Sequence, residues 1–519
     1  MSIPIIQNII NKRSVQVIAF LAVLLSFVIY HIISIITVGQ MSSELTSDEW
    51  WLQVFGEVTR LLLAIVSIGM IGILFLKKVP LHRIYLFVAI GFGLFYTVLI
   101  TPLSVPDEDH HYNSTIRLVN IISNPFDDSL MVQSGDFDFH QLNLHQNRAE
   151  SYLRLQDRLQ RQDVDDAIEQ PTPYNTDYPI HYIPQMIGIL LGRLFHLNFI
   201  WSFLLAAFLN LLLFVGCVSL AIKKIPIHKE LVFLIGLLPM TLQQASSFST
   251  DSFINGLSIL SVACIISSIY GSGKLSRSEI LFLTVPLALL GPSKILYVVL
   301  ALLILLIPNE RFSTKRSPLL FKIVLIAASV IPTIILGITR ILSLTTLVQT
   351  HGTTEGYNYS LSFILNEPIQ FIRILLTSFR VSYIDYIRSL IGYFLSGWSM
   401  PISLNIVYAF LVLLILLSFA QKDEMQVVDW KFRAITLAIS GIVVIGVLTS
   451  MLLSFTTKGD PIITGVQGRY FIPILLPLLF IFRNQTVIYH KNINRVLLMI
   501  ACLLQWRTID FILFFTMNH

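Results

Sequence analysis

Apolar runs of roughly 17–25 residues recur from one end of the chain to the other, separated mostly by short polar turns. Such a length carries an α-helix across about 30 Å of hydrocarbon. In lipid every backbone N–H and C=O needs an internal partner, so these runs are read as helices. A transmembrane barrel would alternate apolar and polar residues in segments of about ten, a pattern the chain lacks. The predicted fold class is all-α, a polytopic bundle of about thirteen transmembrane helices.

The basic residues thread that bundle. Lys12 and Arg13 precede a first run at 14–37, which places the N-terminus in the cytoplasm under the positive-inside rule. The run is long and has no Ala-x-Ala site, so it is expected to be an anchor and not a cleaved signal peptide. A second run, 54–76, returns to Lys77, Lys78 and Arg83, and a third, 84–101, leads out again. Residues 102–177 hold fourteen Asp or Glu, five Arg and no Lys, as an external loop would.

The stretch 178–197 is apolar but contains Pro184, Arg193 and His196. If it crossed, the clusters Lys223–Lys224, Lys274 with Arg277, and Arg311 with Lys315–Arg316 would all fall outside. Lying along the outer interface, it leaves all three in the cytoplasm, and that is the expectation. Further crossings are expected at 199–221, 231–246, 252–270, 319–336, 404–419, 434–453, 471–482 and 496–515. Two short helices, 280–290 and 295–307, flank a break at Gly291, Pro292, Ser293 and Lys294. Broken helices persist in membranes where they face protein or a water-filled cavity. Residues 339–401 form a second long outer region, and the C-terminus ends outside. The domain plan is a two-helix anchor (1–83), a membrane domain (84–482) with outer loops 102–197 and 339–401, and a C-terminal helix (483–519).

Composition agrees. Hydrophobic residues make up 55% and charged residues 13%, against about a quarter charged in a soluble domain. The net charge of +5 does not point to nucleic acid, because the basic residues sit in short clusters at helix ends. Cys217, Cys264 and Cys502 all fall within apolar runs and are expected to be small core residues, not a disulfide or zinc framework.

The densest chemistry lies where the third run leaves the membrane, at Asp107, Glu108, Asp109, His110 and His111, just after Pro106. Three carboxylates and two imidazoles in five positions suit proton abstraction or metal coordination; a plain solvated loop is the alternative. Crowded like charges at a low-dielectric boundary raise carboxylate pKa values toward useful basicity. Arg469 follows Gly465 and Gly468, and a guanidinium approached by flexible backbone suits a phosphate. Its alternative is snorkelling to lipid headgroups. Lys294, in the helix break, suits either a phosphate or a buried ion pair with Asp251, since intramembrane charge needs a purpose. Arg373, Arg380 and Arg388 punctuate an apolar stretch with Tyr383, Asp385 and Tyr386, which favours an interfacial amphipathic helix over a lipid-carrier site. The charges from Arg154 to Glu169 suit a solvated helix face with i,i+4 pairs.

Pro106, Asp107, Glu108 and His111 resemble the signature of the domain of unknown function 2142 family of bacterial polytopic membrane proteins. That family is itself similar to the GT-C glycosyltransferases. The resemblance continues in order through Tyr178–Pro179 with Tyr182, Pro239–Met240 with Asp251, and Ser293–Lys294 with Tyr297. It extends through Ile391–Gly392 with Trp398 to the Gly-Arg-Tyr-Phe-x-Pro run at 468–473. It covers about residues 84–482; each motif alone is weak, and their order and shared side make the set specific. The N-terminal anchor is a departure, since GT-C enzymes usually have a single helix before the acidic loop, and the helix numbering stays open.

The resemblance implies an inverting membrane glycosyltransferase. It would move a sugar from a polyprenyl phosphate to a cell-envelope glycan, teichoic acid or glycolipid at the outer face of the bacterial cytoplasmic membrane. Asp107 would be the base and Glu108 its partner or a ligand. His111, Arg469, Lys294, Tyr182, Asp251 and Tyr470 would contact substrate, with a hydrogen bond that orients the loop as the alternative role for His111. A divalent ion (Mg or Mn) is left open, with Asp107, Glu108 and His111 as candidate ligands. Expected partners are the bilayer, the lipid-linked sugar and a glycan acceptor, with no nucleic acid. The alternatives are a transporter or flippase of lipid-linked glycans and a non-catalytic envelope-assembly protein. A transporter predicts charges along a path and symmetry between halves; here the charges gather on one side and no repeat is evident.

Overall fold

The computed structural model describes residues 46–75, 79–123, 131–133, 149–159, 167–169, 178–313, 317–347, 359–397, 400–421, 428–484, 488–489 and 492–518, with a few positions between 29 and 36. The expected first crossing at 14–37 lies outside the described residues apart from those few, as do much of the loop 102–177, residues 348–358 and Trp398.

The chain is an all-α membrane bundle. Among the described residues seven helices are long and apolar enough to cross a bilayer, and three shorter apolar helices accompany them. The helices that build the bundle are, in order, α1 (Ser47–Phe75), α2 (Leu81–Leu99), α3 (Glu108–Ser123), α4 (Ala149–Leu159), α5 (Ile183–Leu194) and α6 (Phe199–Lys224). Next come α7 (Lys229–Gly236), α8 (Pro239–Ala245), α9 (Asp251–Tyr270), α10 (Arg277–Ser293) and α11 (Pro318–Leu347). The last are α12 (Leu361–Asn366), α13 (Pro368–Ile391), α14 (Leu404–Ser418), α15 (Trp430–Ser454), α16 (Ile472–Phe480) and α17 (Asn492–Asn518). Among the described residues strand is confined to three two-stranded pairs, Met131–Gln133 with Ala167–Glu169, Phe394–Leu395 with Met400–Pro401, and Ala420–Gln421 with Ile488–Tyr489.

Two expected helices take a different form. The run 231–246 is two helices, α7 and α8, because Pro239 at the first turn of α8 has no N–H to continue a ladder and forces Leu238 into extended backbone. The run 280–290 is a longer helix, α10, started by a capping box in which Ser276 and Glu279 satisfy each other's backbone N–H groups. Lys294 ends α10 in extended geometry, and a 3-10 helix, Ile295–Leu306, follows.

The stretch 178–197 does not cross on its own. After a 3-10 turn at Pro179–Tyr182, α5 has 12 residues, about 18 Å, too short for a span. It doubles back along α6. A Cβ on Gly188 would lie 2.3 Å from Ala206 Cα, and one on Gly192 would lie 2.3 Å from Ser202 Oγ. In lipid, helices associate through such close backbone approach, because there is little hydrophobic drive between apolar faces.

Helix α9 runs through the centre of the bundle, 89% of its most apolar window buried, against α6, α10 and α16. Beside it α2 and α6 are tied by Ser219 donating to the His82 carbonyl at 2.9 Å, and the Tyr85 hydroxyl donates to the Gly236 carbonyl at 3.1 Å. Helices α1 and α17 pair with each other, with Arg60 Nε 3.4 Å from Asp510. The three cysteines are free; Cys264 and Cys502 are buried and Cys217 half-buried.

The two ends of the bundle differ. One end carries Lys223 and Lys224 at the close of α6, with Arg311 buried against the Ser268 and Gly273 carbonyls. The opposite end gathers the 101–108 loop, the 246–250 turn, Lys294 and the 467–470 segment. Asn210 of α6 marks its depth, donating to the carbonyls of Ser247 at 2.8 Å and Ser249 at 3.1 Å. From Asn210 to Lys224 the helix rises about 21 Å, less than the ~30 Å hydrocarbon layer.

Candidate functional site

The site is built from four chain segments that meet at the end opposite the basic cluster. The first is the 100–107 loop, whose backbone enters the left-handed region at Leu103 (φ 61°) and Asp107 (φ 65°). Asp tolerates that geometry better than most residues. It turns the Asp107 side chain, 53% exposed, toward the 467–470 segment, while α3 begins at the next residue.

Glu108 points elsewhere. Its carboxylate is 2% exposed and accepts N–H bonds from Phe248 at 2.9 Å and Val105 at 3.3 Å. Burial pushes the carboxyl up to about 7, against the lowering effect of those N–H groups. Glu108 thus staples the 101–108 loop to the 246–250 turn, and its oxygens are committed to backbone.

His111 lies one turn into α3 and shares a 2.9 Å hydrogen bond between Nδ1 and the buried Tyr182 hydroxyl. Burial lowers the imidazole to about 4, although the carboxylates of Asp251 and Asp107 pull the other way. It is therefore neutral near pH 7. With Nδ1 engaged by Tyr182, Nε2 is the ring nitrogen without a hydrogen bond among the described residues.

Arg469 is delivered by the 3-10 turn Gly468–Phe471. That turn is pressed against α13: Gly468 N–H donates to Ser389 Oγ at 2.9 Å, and a Cβ on Gly468 would sit 2.1 Å from Leu390 N and 2.2 Å from Tyr386 O. Only glycine fits there. The Arg469 side chain is 3% exposed and donates to Asp107 Oδ2 at 2.7 Å and to Gln244 Oε1 at 3.5 Å. Its Nε lies 3.2 Å from Asp251 Oδ2 but makes no hydrogen bond. A buried guanidinium with a donor left over has capacity for an anionic oxygen.

Asp251, the first residue of α9, joins the second cation. Its Oδ1 lies 3.7 Å from Lys294 Nζ, and that ammonium sits 4.1 Å from the Tyr470 ring centroid. The Tyr297 hydroxyl donates to the Tyr470 carbonyl at 2.8 Å and fixes the ring's backbone. Asp107, Arg469, Asp251 and Lys294 form a continuous chain of alternating charge. Two carboxylates and two cations keep it neutral overall, which is how buried charge is tolerated.

The structure thus brings together Asp107, Arg469, Tyr470, Asp251 and Lys294, with His111 and Tyr182 beside them. It sets Glu108 behind them in a supporting place. Arg469 does not snorkel; it is buried and paired. Lys294 does contact Asp251, and also faces Tyr470. Asp107, Glu108 and His111 are not gathered as one ligand set, since both Glu108 oxygens are spent on backbone N–H groups. Among the described residues no group of three or more His, Cys, Asp or Glu is placed to hold a metal ion.

Two residues missing from the sequence reading belong to the site. Gln244 accepts from Arg469, and Gln243 Oε1 accepts the Ser396 N–H at 3.1 Å, which holds the segment after α13 to α8. The signal was present. Gln243 and Gln244, with Thr241 and Ser246, fall within a run expected to cross the membrane, Ser247, Ser249 and Thr250 follow it directly, and all are buried. Polar residues buried at such depth mark function.

No curated protein and no solved structure matches the chain. A family model described as "Predicted membrane protein (DUF2142)" matches residues 90–478, which takes in every segment of the site and leaves out α1 and α17. The chain belongs to that family of membrane proteins.

Proposed function

We propose that this protein is a membrane glycosyltransferase of GT-C type, moving a sugar from a polyprenyl phosphate to a cell-envelope glycan, teichoic acid or glycolipid. The observation that carries the reading is the meeting of Asp107, Arg469, Asp251 and Lys294 within successive contacts of 2.7, 3.2 and 3.7 Å. A base and two cations for one transfer step are within reach of a single phosphate headgroup.

In this reading the bundle has about thirteen crossings with its N-terminus in the cytoplasm, and the site faces out. The donor phosphate enters beside Arg469 and Lys294. Its oxygens compete with Asp107 for the guanidinium, so donor binding releases the carboxylate. Asp107 then takes the proton of the acceptor hydroxyl as that oxygen attacks the anomeric carbon. The bond from that carbon to the phosphate oxygen breaks with inversion, and its electron pair leaves on the phosphate. Arg469 and Lys294 lie where that negative charge grows, which is where fixed cations lower a barrier most. Neutral His111, held by Tyr182, offers Nε2 to a sugar hydroxyl.

The test is full-length protein reconstituted in liposomes with a radiolabelled polyprenyl-phosphate sugar and an envelope-glycan acceptor. Label transferred to the acceptor supports the reading. Label moved across the bilayer unchanged, or left on the donor with every sugar and acceptor tried, sinks it.

A further inference from the structure

A second site lies well away from the charged cluster. A cavity of about 490 Å³ opens beside α12 and the first turns of α13, a volume ordinary for a small-molecule pocket. Asn366, Glu367, Gln370, Arg373 and Thr377 line it together with Tyr359 and Gly459. Among the described residues none of those first five side chains makes a hydrogen bond or ion pair with the protein. Two amides, a carboxylate, a guanidinium and a hydroxyl therefore line one cavity with their donors and acceptors open to solvent or a ligand.

Helix α13 explains why. At 100° per residue its side chains fall on three faces roughly a third of a turn apart. Ile374, Ser378 and Ser389 are buried against the bundle. Ile372, Leu376, Phe379 and Tyr383 form an exposed apolar stripe, 44–66% accessible. Gln370, Arg373 and Thr377 make the third stripe, which faces the cavity. An interfacial helix puts its apolar stripe in lipid and its polar stripe toward water. The cavity is thus reached from the aqueous side.

The charges select the ligand. One carboxylate and one guanidinium cancel, and the remaining groups both donate and accept. A phosphate would meet Arg373 but also Glu367, with no second cation among the lining residues. A neutral polyhydroxylated ligand uses every group. From Arg373 to Ser389, which holds Gly468, is about 24 Å along the helix. Residues 459–468 lie alongside it, anchored by Tyr359 at Asp460 (3.0 Å), Ser378 at Ile463 (2.8 Å) and Ser389 at Gly468 (2.9 Å).

We infer that this cavity binds a neutral saccharide unit of an extended glycan whose other end reaches the charged site. The inference rests on the transferase reading and narrows the acceptor to a polymer, because a single sugar cannot occupy both places. Remote contacts of this kind position a substrate whose reacting end is elsewhere.

The test is binding of the detergent-purified full chain to an array of neutral and acidic oligosaccharides of increasing length. Neutral chains should bind more strongly as they lengthen. Gln370→Ala with Arg373→Met should weaken that binding at least tenfold. Ile369 also lines the cavity, and Ile369→Trp, which takes up space without removing a hydrogen bond, should do the same. Binding that is indifferent to these changes, preference for acidic glycans, or no saccharide bound at all overturns the inference. Donor consumption in the same preparation reports on the transferase reading separately, since a protein that consumes donor but binds no array glycan loses only the cavity.

Discussion

Arg469 and Asp107 stand 362 residues apart in the chain and 2.7 Å apart in space. The contact is lopsided: the guanidinium is 3% exposed and the carboxylate 53%. Arg469 is fixed by burial, by Gln244 and by the turn at Gly468, whereas Asp107 reaches it from open space. Only one Asp107 oxygen is engaged by protein among the described residues, and the other is available to a ligand.

That asymmetry sets the first prediction. Asp107→Asn removes a half-exposed carboxylate from a guanidinium that keeps Asp251 beside it, so it should cost less stability than Asp251→Ala. Transfer should fall by about 10²–10⁴-fold, the range expected for loss of a general base. Thermal unfolding in detergent, measured beside transfer on the same preparation, checks both halves. A fully active Asp107→Asn protein removes Asp107 from the chemistry.

Asp251 should behave in the opposite way. It is 13% exposed and lies between Arg469 and Lys294. Asp251→Ala leaves two cations facing each other without their shared counter-ion, which should cost roughly 3–5 kcal/mol of stability. Adding Lys294→Met should restore part of the loss, with a coupling of about 0.5–3 kcal/mol. The melting temperatures of both single variants and the double variant close the cycle. Additive losses would mean that the 3.7 Å contact carries no energy.

The sequence made the helical class and most of the site readable for a simple reason. Apolar length reports directly on span, and a charge placed in an apolar run is costly enough to stand out, as Lys294, Asp251 and Arg469 did. The place of Glu108 is not legible because adjacency in sequence says nothing about direction: at a helix start, neighbours point about 100° apart, and Glu108 turns inward to meet Phe248. Gln243 and Gln244 were passed over because they are uncharged and sit among hydroxyls within a segment taken as one helix. The break at Pro239 shows that the segment is two.

Glu108 gives a pH prediction whose sign can be worked out. Its carboxyl holds a proton to about pH 7 in the folded chain, against an ordinary value of 4.5. A group raised in this way contributes stability that is complete below 4.5 and lost as pH rises through 7. The full effect is at most a few kcal/mol. Glu108→Gln keeps the shape and an acceptor for the Phe248 N–H but does not titrate. His111 has the reverse sign, lowered from 6.5 to about 4, so its contribution is present above 6.5 and disappears as pH falls toward 4. Both proteins retain His111, and its effect cancels in their difference. Between pH 4.5 and 7.5 wild type should therefore lose melting temperature relative to Glu108→Gln. A constant difference across that window means the carboxyl is already ionised at its low end.

Gly468 lacks the one atom that its surroundings leave no room for. A Cβ there would come within 2.2 Å of two backbone atoms of α13, and backbone in a packed helix has little room to yield. Gly468→Ala must therefore push the 468–471 turn away from α13 or strain it in place. Overpacking of this kind typically costs 1–3 kcal/mol. The turn also carries Arg469, so the displacement should reach the contacts with Asp107 and Asp251 and weaken transfer, although alanine carries no chemistry of its own. Gly465→Ala is the control on the same segment. It is strained by its φ of 79° but meets only the Phe455 and Met451 side chains, which can shift. Gly468→Ala should lose at least tenfold more transfer than Gly465→Ala at a similar loss of stability. Equal losses from the two would show that general loosening of the segment, and not the placement of Arg469, governs the rate.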